Sequence, residues 1–297
     1  MVAIDQRESL RVMLRDATGR PVTNADLVHF KVQVARALSA HASALLVDVD
    51  YGLEPILQAG VLGAECGLIV AVDTIVYNEK GQGVASGPRA DMSNRDWARD
   101  AVAALKLLVI WSESQWFGTD ATEVGAFVEL CRRRRLLSIV EVVVREADGS
   151  LPATGMRQSE LLVEASRDVA RLGPDLYKTE VPFLGRGDSR EIVDAARAIS
   201  ESLSCPWVVL SSGVVSGAFP EAVRLSCLGG ASGFLAGRGI WGPAVGANAE
   251  RELNQSSLMR LRELREIAEA AVRQAGFEAS QVALGDRPGA GEHSDVR

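Results

Sequence analysis

Short apolar runs alternate with amphipathic stretches along nearly the whole chain. A strand buried on both faces appears as an almost continuous run of Val, Ile and Leu, whereas a helix that covers a sheet has apolar residues every three to four positions. These patterns predict eight strands, with amphipathic helices between most of them. The predicted strands are VAID (2–5), SALLVDVD (43–50), GLIVAVD (67–73), ALKLLVIW (104–111), LLSIVEVVV (136–144), DLYKTEVP (175–182), PWVVLSSGV (206–214) and ASGFLAG (231–237).

The predicted helices follow the same alternation. The first begins at a capping Asn24, the second at Thr119 or Asp120, and the last is a long helix that closes the series. About eight strand–helix units over some 245 residues match a (β/α)8 TIM barrel in number, order and size. The sequence therefore predicts a single α/β barrel domain over residues 1–277. The alternative is a doubly wound open sheet, which usually has fewer strands and carries a GxGxxG after its first strand.

Two segments do not follow this alternation. Residues 74–93, TIVYNEKGQGVASGPRADMS, form a long connection after the third strand. Its place in the barrel suits an active-site lid, and a plain surface excursion is the equal alternative. Residues 278–297 are polar, contain glycine and proline and show no periodicity, so we expect a disordered tail.

Composition narrows the class of protein. The chain has 297 residues, a net charge of -7 and 47% hydrophobic residues, which is ordinary for a soluble globular protein. The acidic balance argues against nucleic acid and anionic membranes as partners. The four cysteines have no CxxC spacing, and no apolar run is long enough to span a bilayer. We therefore expect a cytoplasmic protein without a disulfide framework or structural zinc.

Three ionisable side chains lie inside consecutive apolar strands: Lys106, Glu141 and Lys178. A buried charge is costly unless it is paired or its pKa shifts. Side chains alternate along a strand, so Leu176, Lys178 and Glu180 share one face. If that face points into the barrel, the three charges meet in one pocket. For each residue taken alone, the alternative is a solvent-facing charge or a simple salt bridge.

Two amines and a carboxylate in one apolar site are suited to imine chemistry on a carbonyl compound. Burial and a nearby like charge both lower the pKa of an amine, which then attacks carbonyls more readily. We therefore predict that Lys178 is the nucleophile, that Lys106 supplies the second positive charge and that Glu141 moves protons.

A second set of residues suits phosphate binding. Barrels often hold phosphate with the loops after strands seven and eight, which here are LSSGVVSG (210–217) and LAGRGIWG (235–242). Small residues let backbone N–H groups approach an anion, and Ser211, Ser212 and Arg238 add side-chain donors. Neither loop is specific alone, but their joint position in the barrel order favours a phosphate site.

Polar residues also end the first two strands. Asp5, Gln6 and Arg7 follow strand one, and Asp48 and Asp50 end strand two. They are candidates for the mouth of the pocket, with loop caps and surface ion pairs as equal alternatives. A magnesium site from Asp48, Asp50 and Glu141 is a weaker alternative. The three histidines lie outside the predicted strands, which argues against a zinc site, and we predict that the protein binds no metal.

Six ordered stretches carry a family resemblance. They are AIDQRESLR, ALKLLVIW, SIVEVVVR, DLYKTEVP, PWVVLSSGV and GASGFLAGRGIW, within residues 2–245. Together they resemble a class I, Schiff-base aldolase family that contains tagatose 1,6-bisphosphate aldolases and the sulfofructose 1-phosphate aldolases of sulfoglycolysis. The chain looks closest to the sulfofructose branch. It departs from that branch in DVDYGLEP after strand two and in Val142, where proline is expected.

The resemblance implies a function and site residues. Lys178 would form the imine, Lys106 and Glu141 would be active-site charges, and the chain would need no cofactor and form a homo-oligomer. The substrate would be a small sugar phosphate, 6-deoxy-6-sulfofructose 1-phosphate, cleaved to dihydroxyacetone phosphate and 3-sulfolactaldehyde. Tagatose 1,6-bisphosphate cleavage, a non-catalytic sugar-phosphate sensor and a metal-dependent lyase are the alternatives. By motif, Asp5 and Gln6 would line the substrate pocket, and Leu210, Ser211, Gly237 and Arg238 would hold the phosphate. Apart from the resemblance, we predict substrate binding by Arg7, Asp48 and Arg145, with Arg89 a further candidate cation, and phosphate binding by Ser212.

Overall fold

The computed structural model describes residues 1–77, 83–97, 101–116, 120–246 and 248–285. The strands in these ranges are β1 Val2–Ile4, β2 Ala44–Asp48, β3 Gly67–Ala71, β4 Asp73–Tyr77, β5 Gly83–Pro88, β6 Val102–Trp111, β7 Leu137–Val144, β8 Leu176–Thr179 and β9 Trp207–Val209. Seven of them form one parallel sheet in the order β1-β2-β3-β6-β7-β8-β9 within the described residues. The fold is therefore α/β, and its strands follow the predicted sequence order.

The predicted eighth strand differs from expectation. Phe234 and Ala236 form single parallel bridges to Val209 of β9 and Val2 of β1, in place of a regular strand. The Ala3 N–H donates to the Ala236 carbonyl at 2.9 Å, so this segment bonds to both edges of the sheet. Glycine interrupts it on both sides. A Cβ on Gly237 would lie 2.6 Å from the Ala3 carbonyl oxygen, so the chain can pass this close to β1 only as glycine.

Helices cover the outer face of the sheet. A reciprocal capping box between Thr23 and Asp26, instead of a cap by Asn24, begins the helix Asn24–Leu38. Four further helices in the described ranges were not predicted from the sequence: Glu8–Thr18, Glu54–Ala59, Glu113–Gln115 and Arg238–Trp241. The helices are α1 Glu8–Thr18, α2 Asn24–Leu38, α3 Glu54–Ala59, α4 Glu113–Gln115, α5 Ala121–Arg134, α6 Gly155–Ala170, α7 Ser189–Ser202, α8 Phe219–Leu228, α9 Arg238–Trp241, α10 Ala249–Glu252 and α11 Leu258–Gly285, with π-helical turns at Val49–Leu53 and Leu253–Ser257.

The core has two parts, one on each face of the sheet. The larger part lies between the sheet and the helices. The smaller part fills the concave face of the sheet and consists of Ala3, Ala44, Leu46, Ile69, Ala71, Ala104, Ile139, Val208 and Leu235. Two residues farther along the strands, the same face carries Asp5, Asp73, Lys106 and Glu141. Neighbouring side chains on one face of a strand are two residues apart. The concave face is therefore apolar at one such position and charged at the next.

The connection after β3 contains an antiparallel hairpin of β4 and β5. It is attached to β6, where the Ile110 N–H donates to the Ser86 hydroxyl at 3.1 Å. Residues 78–82 lie outside the described residues. A lid function for residues 74–93 stays a prediction.

The two ends of the predicted long helix also differ from expectation. The helical stretch begins with α10 at Ala249, and α11 continues to Gly285, past the predicted start of the tail at residue 278. The rest of the predicted tail and the candidate cap Thr119 lie outside the described residues, and Asp120 makes no side-chain cap. None of the helices in the described ranges is both long and apolar enough to cross a membrane.

A glycine contact between α7 and α8 gives a test of this packing. A Cβ on Gly229 would lie 2.6 Å from the Val193 carbonyl oxygen and would also collide with Ala196. We expect Gly229→Ala to lower the free energy of unfolding by about 1–3 kcal/mol, measured by urea denaturation. Gly125→Ala in α5 is the matched control. Its Cβ would meet only Leu172 at 3.7 Å, so we expect a gain of about 0.5–1 kcal/mol. Equal stability of the two variants would contradict the packing.

Candidate active site

The charged residues predicted from the strand pattern meet at one point. The Lys106 Nζ lies 2.8 Å from Asp5 Oδ2, 2.8 Å from Asp73 Oδ1 and 3.1 Å from Glu141 Oε2. The Lys178 Nζ lies 3.0 Å from the same Glu141 oxygen. One carboxylate oxygen therefore bridges the two amines.

Strand register explains this convergence. Lys106, Glu141 and Lys178 lie on three adjacent strands, β6, β7 and β8, and Glu141 is paired directly with Lys178. Both lysines are almost fully buried, with exposed fractions of 2% and 3%. Side-chain alternation points all three toward the concave face. The structure thus brings the trio together, and its catalytic roles stay predictions.

The electrostatics of the site keep its central groups charged. Burial acts to lower the pKa of Lys106, but the three surrounding carboxylates outweigh it and hold that pKa well above its usual value. Burial acts to raise the pKa of Asp5, but Lys106 and Lys178 outweigh it and hold that pKa well below its usual range. Lys106 and Asp5 therefore stay charged and paired at neutral pH.

Asp73 is a site residue that the sequence analysis missed. It is 1% exposed and contacts Lys106 through Oδ1, while its Oδ2 accepts a hydrogen bond from Arg7 at 2.5 Å. Arg7 also donates to the Asp73 carbonyl at 2.9 Å. The sequence does contain a feature that could have predicted Asp73: it ends an apolar strand in the same way as Asp48.

Asp48 was predicted to bind substrate, and the structure places it elsewhere. Its side chain is fully buried, with Oδ1 2.5 Å from the Lys31 Nζ and Oδ2 accepting from the Tyr51 N–H at 2.7 Å. Lys31 reaches in from α2 and also donates to the carbonyls of Ile4 and Gln6 at 2.6 and 2.7 Å. Both oxygens of Asp48 are thus occupied within the protein. The pair instead fixes the backbone on either side of Asp5.

Arg145 is the second predicted residue that the structure does not bring to the cavity. Its Nη1 donates to the Val144 carbonyl at 2.7 Å. Close by lies Glu180, which the sequence analysis placed on the face of Lys178 without giving it a role. The Glu180 carboxylate accepts from the Val144 N–H at 3.0 Å. Burial raises the pKa of Glu180 to about 7, partly offset by the Val144 hydrogen bond and by Arg145.

The predicted phosphate-binding loops lie together across the cavity. The Arg238 Nη2 donates to the Ser212 hydroxyl at 2.8 Å, and the Gly239 N–H donates to the Ser211 hydroxyl at 3.2 Å. Leu210 and Gly237 line the same cavity. The sequence order of a barrel therefore predicted which loops would meet.

One cavity of about 190 Å³ joins these groups. Drug-sized pockets are typically about 300–1,000 Å³, so this cavity suits a small substrate. Among the described residues, no group of three His, Cys, Asp or Glu side chains is arranged to hold a metal ion. The residues that line the cavity include Asp5, Gln6, Arg7, Asp73, Lys106, Glu141, Lys178, Leu210, Ser211, Ser212, Gly237 and Arg238.

The buried pair of Lys31 and Asp48 gives a second test. Lys31→Met would leave the Asp48 carboxylate buried without a cation, so we expect a loss of about 3–5 kcal/mol in the free energy of unfolding. The double variant Lys31→Met/Asp48→Asn should lose less than the single one, because no charge is left unpaired. Arg20→Met is the surface control: Arg20 pairs with Asp26 but is more than half exposed, so a much smaller loss than that of Lys31→Met is expected. A double variant less stable than the single variant would contradict this account.

Glu180 gives a pH-dependent test. Its pKa is raised in the folded state, so the folded protein keeps a proton that the unfolded chain loses near pH 4.5. This contribution to stability is present below that pH and lost as the pH rises to about 7. We expect it to amount to about 3 kcal/mol between pH 4.5 and 8. Glu180→Gln should reduce the fall in unfolding free energy over this range by that amount, measured by urea denaturation. An unchanged pH dependence would contradict the burial of an ionisable carboxyl here.

Comparisons with known proteins agree with this geometry. The chain is 27% identical over 267 residues to a tagatose 1,6-diphosphate aldolase of Listeria monocytogenes, covering 82% of this chain and 77% of the relative. It is 26% identical over 286 residues to a Staphylococcus aureus protein of the same name, covering 84% of each. Among solved structures, a fructose-bisphosphate aldolase from Slackia heliotrinireducens shares the fold, with a TM-score of 0.64 at 17% identity over 99% of this chain and 87% of that one.

A fructose 1,6-bisphosphate aldolase that forms a Schiff base has a TM-score of 0.60 at 14% identity, covering 90% of this chain and 93% of that one. A family model for DeoC/LacD family aldolases matches residues 1–242. That match spans more than half of the chain, including the residues of the cavity. The chain therefore belongs to the DeoC/LacD family of aldolases.

Proposed function

We propose that this aldolase cleaves a ketose 1-phosphate through an imine on Lys178, releasing dihydroxyacetone phosphate and a three-carbon aldehyde. The observation that carries the proposal is the buried Lys178 amine, 3.0 Å from Glu141, in a cavity that also holds Ser211, Ser212 and Arg238. The names of the relatives, tagatose 1,6-diphosphate aldolase, support a sugar phosphate as the substrate.

The reaction follows from these positions. The Lys178 amine, once it has given up its proton, attacks the C2 carbonyl, and the carbinolamine loses water to give a protonated imine. The C3–C4 bond then breaks as a base removes the C4 hydroxyl proton. The electron pair of that bond moves into the imine and forms an enamine. The aldehyde leaves. C3 of the enamine takes up a proton, and water hydrolyses the imine to restore the amine.

Glu141 is the proton carrier in this proposal. Its oxygen lies within hydrogen-bond distance of Lys178, so it can take the proton that the amine loses and return one to the carbinolamine hydroxyl. Lys106 forms an ion pair with the same oxygen and holds the carboxylate in place, while Asp5 and Asp73 fix Lys106. Gln6 lines the cavity beside Asp5.

The ketone half of the substrate would bind at the loops after β9 and after the segment 234–236. Two serine hydroxyls, an arginine and nearby backbone N–H groups match three phosphate oxygens.

The segment that precedes the second of these loops also supports a closed (β/α)8 barrel. We propose that residues 234–236 occupy the position of the eighth strand, because they bond to both β9 and β1.

Sequence resemblance supplies the finer expectations. It ranks 6-deoxy-6-sulfofructose 1-phosphate first and tagatose 1,6-bisphosphate second. The two share the ketone half and differ in the sugar epimer and in the anion at C6, which needs a cation at the far end of the cavity. A cytoplasmic location and a homo-oligomeric state stay predictions.

Reductive trapping tests the proposed chemistry. Borohydride added with dihydroxyacetone phosphate should attach the three-carbon phosphate to Lys178, detected by mass mapping of the labelled peptide. Lys178→Met should abolish the adduct and lower kcat/KM for cleavage by about 10⁴-fold or more. Chelators should not change activity.

Two outcomes would contradict the proposal. Labelling of another lysine, or none, would remove Lys178 from its role. Tight binding of ketose phosphates by the wild-type protein without cleavage would favour a sugar-phosphate sensor. Circular dichroism of Lys178→Met should match the wild type, which ensures that lost labelling does not reflect unfolding.

A further inference from the structure

One wall of the active-site cavity is aliphatic. Ile75, Leu108 and Val143 line it and are half-buried. Each lies two residues after a charged site residue: Ile75 after Asp73, Leu108 after Lys106, and Val143 after Glu141. Because strand side chains alternate, each pair shares a face. The wall therefore lies one layer nearer the mouth of the cavity than the charges.

This wall is on the opposite side of Lys178 from the phosphate loops. In the sheet order, β7 and β6 lie on one side of β8, which carries Lys178, and β9 lies on the other. Ser211 and Ser212 follow β9, and Arg238 follows the segment bonded to β9 and β1. A ketose with C2 at Lys178 and its phosphate at these loops would extend C4 to C6 toward the aliphatic wall.

The cations near this wall are already bonded. Arg7 is bound to the side chain and the carbonyl of Asp73. Arg89 pairs with Asp50 at 2.8 Å and with Asp91 at 3.1 Å. Arg145 donates to a backbone carbonyl and lines no part of the cavity. Within the described ranges, the three arginines considered for a C6 anion thus all have partners in the protein.

The cost of removing water then determines which group at C6 of the substrate fits against this wall. An anion placed against these aliphatic side chains loses hydration, and the part of the chain that the structure describes offers it no unpaired arginine from among these three, which makes its burial costly. A methyl group in the same place gains about 0.8 kcal/mol for its buried carbon. A hydroxymethyl group carries no charge to desolvate.

We propose that the aldehyde product carries an uncharged methyl or hydroxymethyl group, so that the substrate is a ketohexose 1-phosphate or 6-deoxyketohexose 1-phosphate without an anion at C6. This inference rests on the proposed aldolase reaction. It departs from the sulfonated ketose that the resemblance ranks first and from the bisphosphate in the names of the relatives.

The synthetic direction tests it, because every acceptor meets the same enamine of dihydroxyacetone phosphate. The purified protein is given dihydroxyacetone phosphate with lactaldehyde, glyceraldehyde, glyceraldehyde 3-phosphate or 3-sulfolactaldehyde, and kcat/KM is measured for each. We expect the better uncharged aldehyde to exceed both anionic ones by about tenfold or more, equivalent to about 1.4 kcal/mol. An anionic aldehyde that equals or exceeds both uncharged ones would overturn the inference.

Trapping with dihydroxyacetone phosphate alone separates the two proposals, since it does not involve the aldehyde. An adduct at Lys178 without addition to either uncharged aldehyde would overturn the inference and leave the imine chemistry standing. The absence of any adduct would overturn the proposed function and the inference with it.

Variants of the wall add an independent readout. Leu108→Arg or Val143→Arg places a cation beside the acceptor and should raise the ratio of kcat/KM for glyceraldehyde 3-phosphate over lactaldehyde by about tenfold. Two positions are used so that a folding defect in one leaves the other informative. Leu137→Arg, at the exposed start of β7, is the matched control and should leave the ratio unchanged. An unchanged ratio in both folded wall variants would overturn the role of the wall.

Discussion

The active site depends on one ammonium group held by three carboxylates. Lys106 is buried with Asp5, Asp73 and Glu141 around its Nζ, each within 3.1 Å. None of these charges is stable alone in an apolar interior, because each would lose its hydration. Together they fix one another, and the bridging oxygen of Glu141 then determines where the second amine, on Lys178, lies. The position of the proposed nucleophile thus follows from an ion-pair cluster that includes the proposed proton carrier, Glu141.

The fold delivers this cluster through strand alternation. Below it, the concave face of the sheet is filled by aliphatic residues, and the charges appear one step later on several adjacent strands. Strand β1 is the shortest support, with three residues before Asp5. There, Lys31 donates to the carbonyls of Ile4 and Gln6, on either side of Asp5, and Asp48 pairs with Lys31. A second ion pair, behind β1, therefore helps to orient the first.

The sequence was informative wherever the signal was local to a strand. Lys106, Glu141 and Lys178 stood out because each interrupts an apolar run, and strand register then brings them together. The role of Asp48 could not be predicted, because it depends on a lysine in α2 that the helical pattern alone would leave at the surface. Arg145 turns back to its own backbone, which no spacing reveals. The eighth strand was expected at the right place, but its glycines reduce it to single bridges.

The layered site separates chemistry from specificity. In the proposed reaction, the charged layer supplies the imine-forming lysine and the proton carrier, and the layer above it would contact only the part of the substrate that leaves as the aldehyde. A substitution at Ile75, Leu108 or Val143 can change the preferred aldehyde without disturbing the ion pairs, because these side chains lie two residues away on the same strands. The two tagatose 1,6-diphosphate aldolases share about a quarter of their aligned residues with this chain, so family membership does not by itself fix the residues of this upper layer. For this chain, the upper layer is aliphatic. That is the physical reason to infer an uncharged group at C6 separately from the proposed imine reaction.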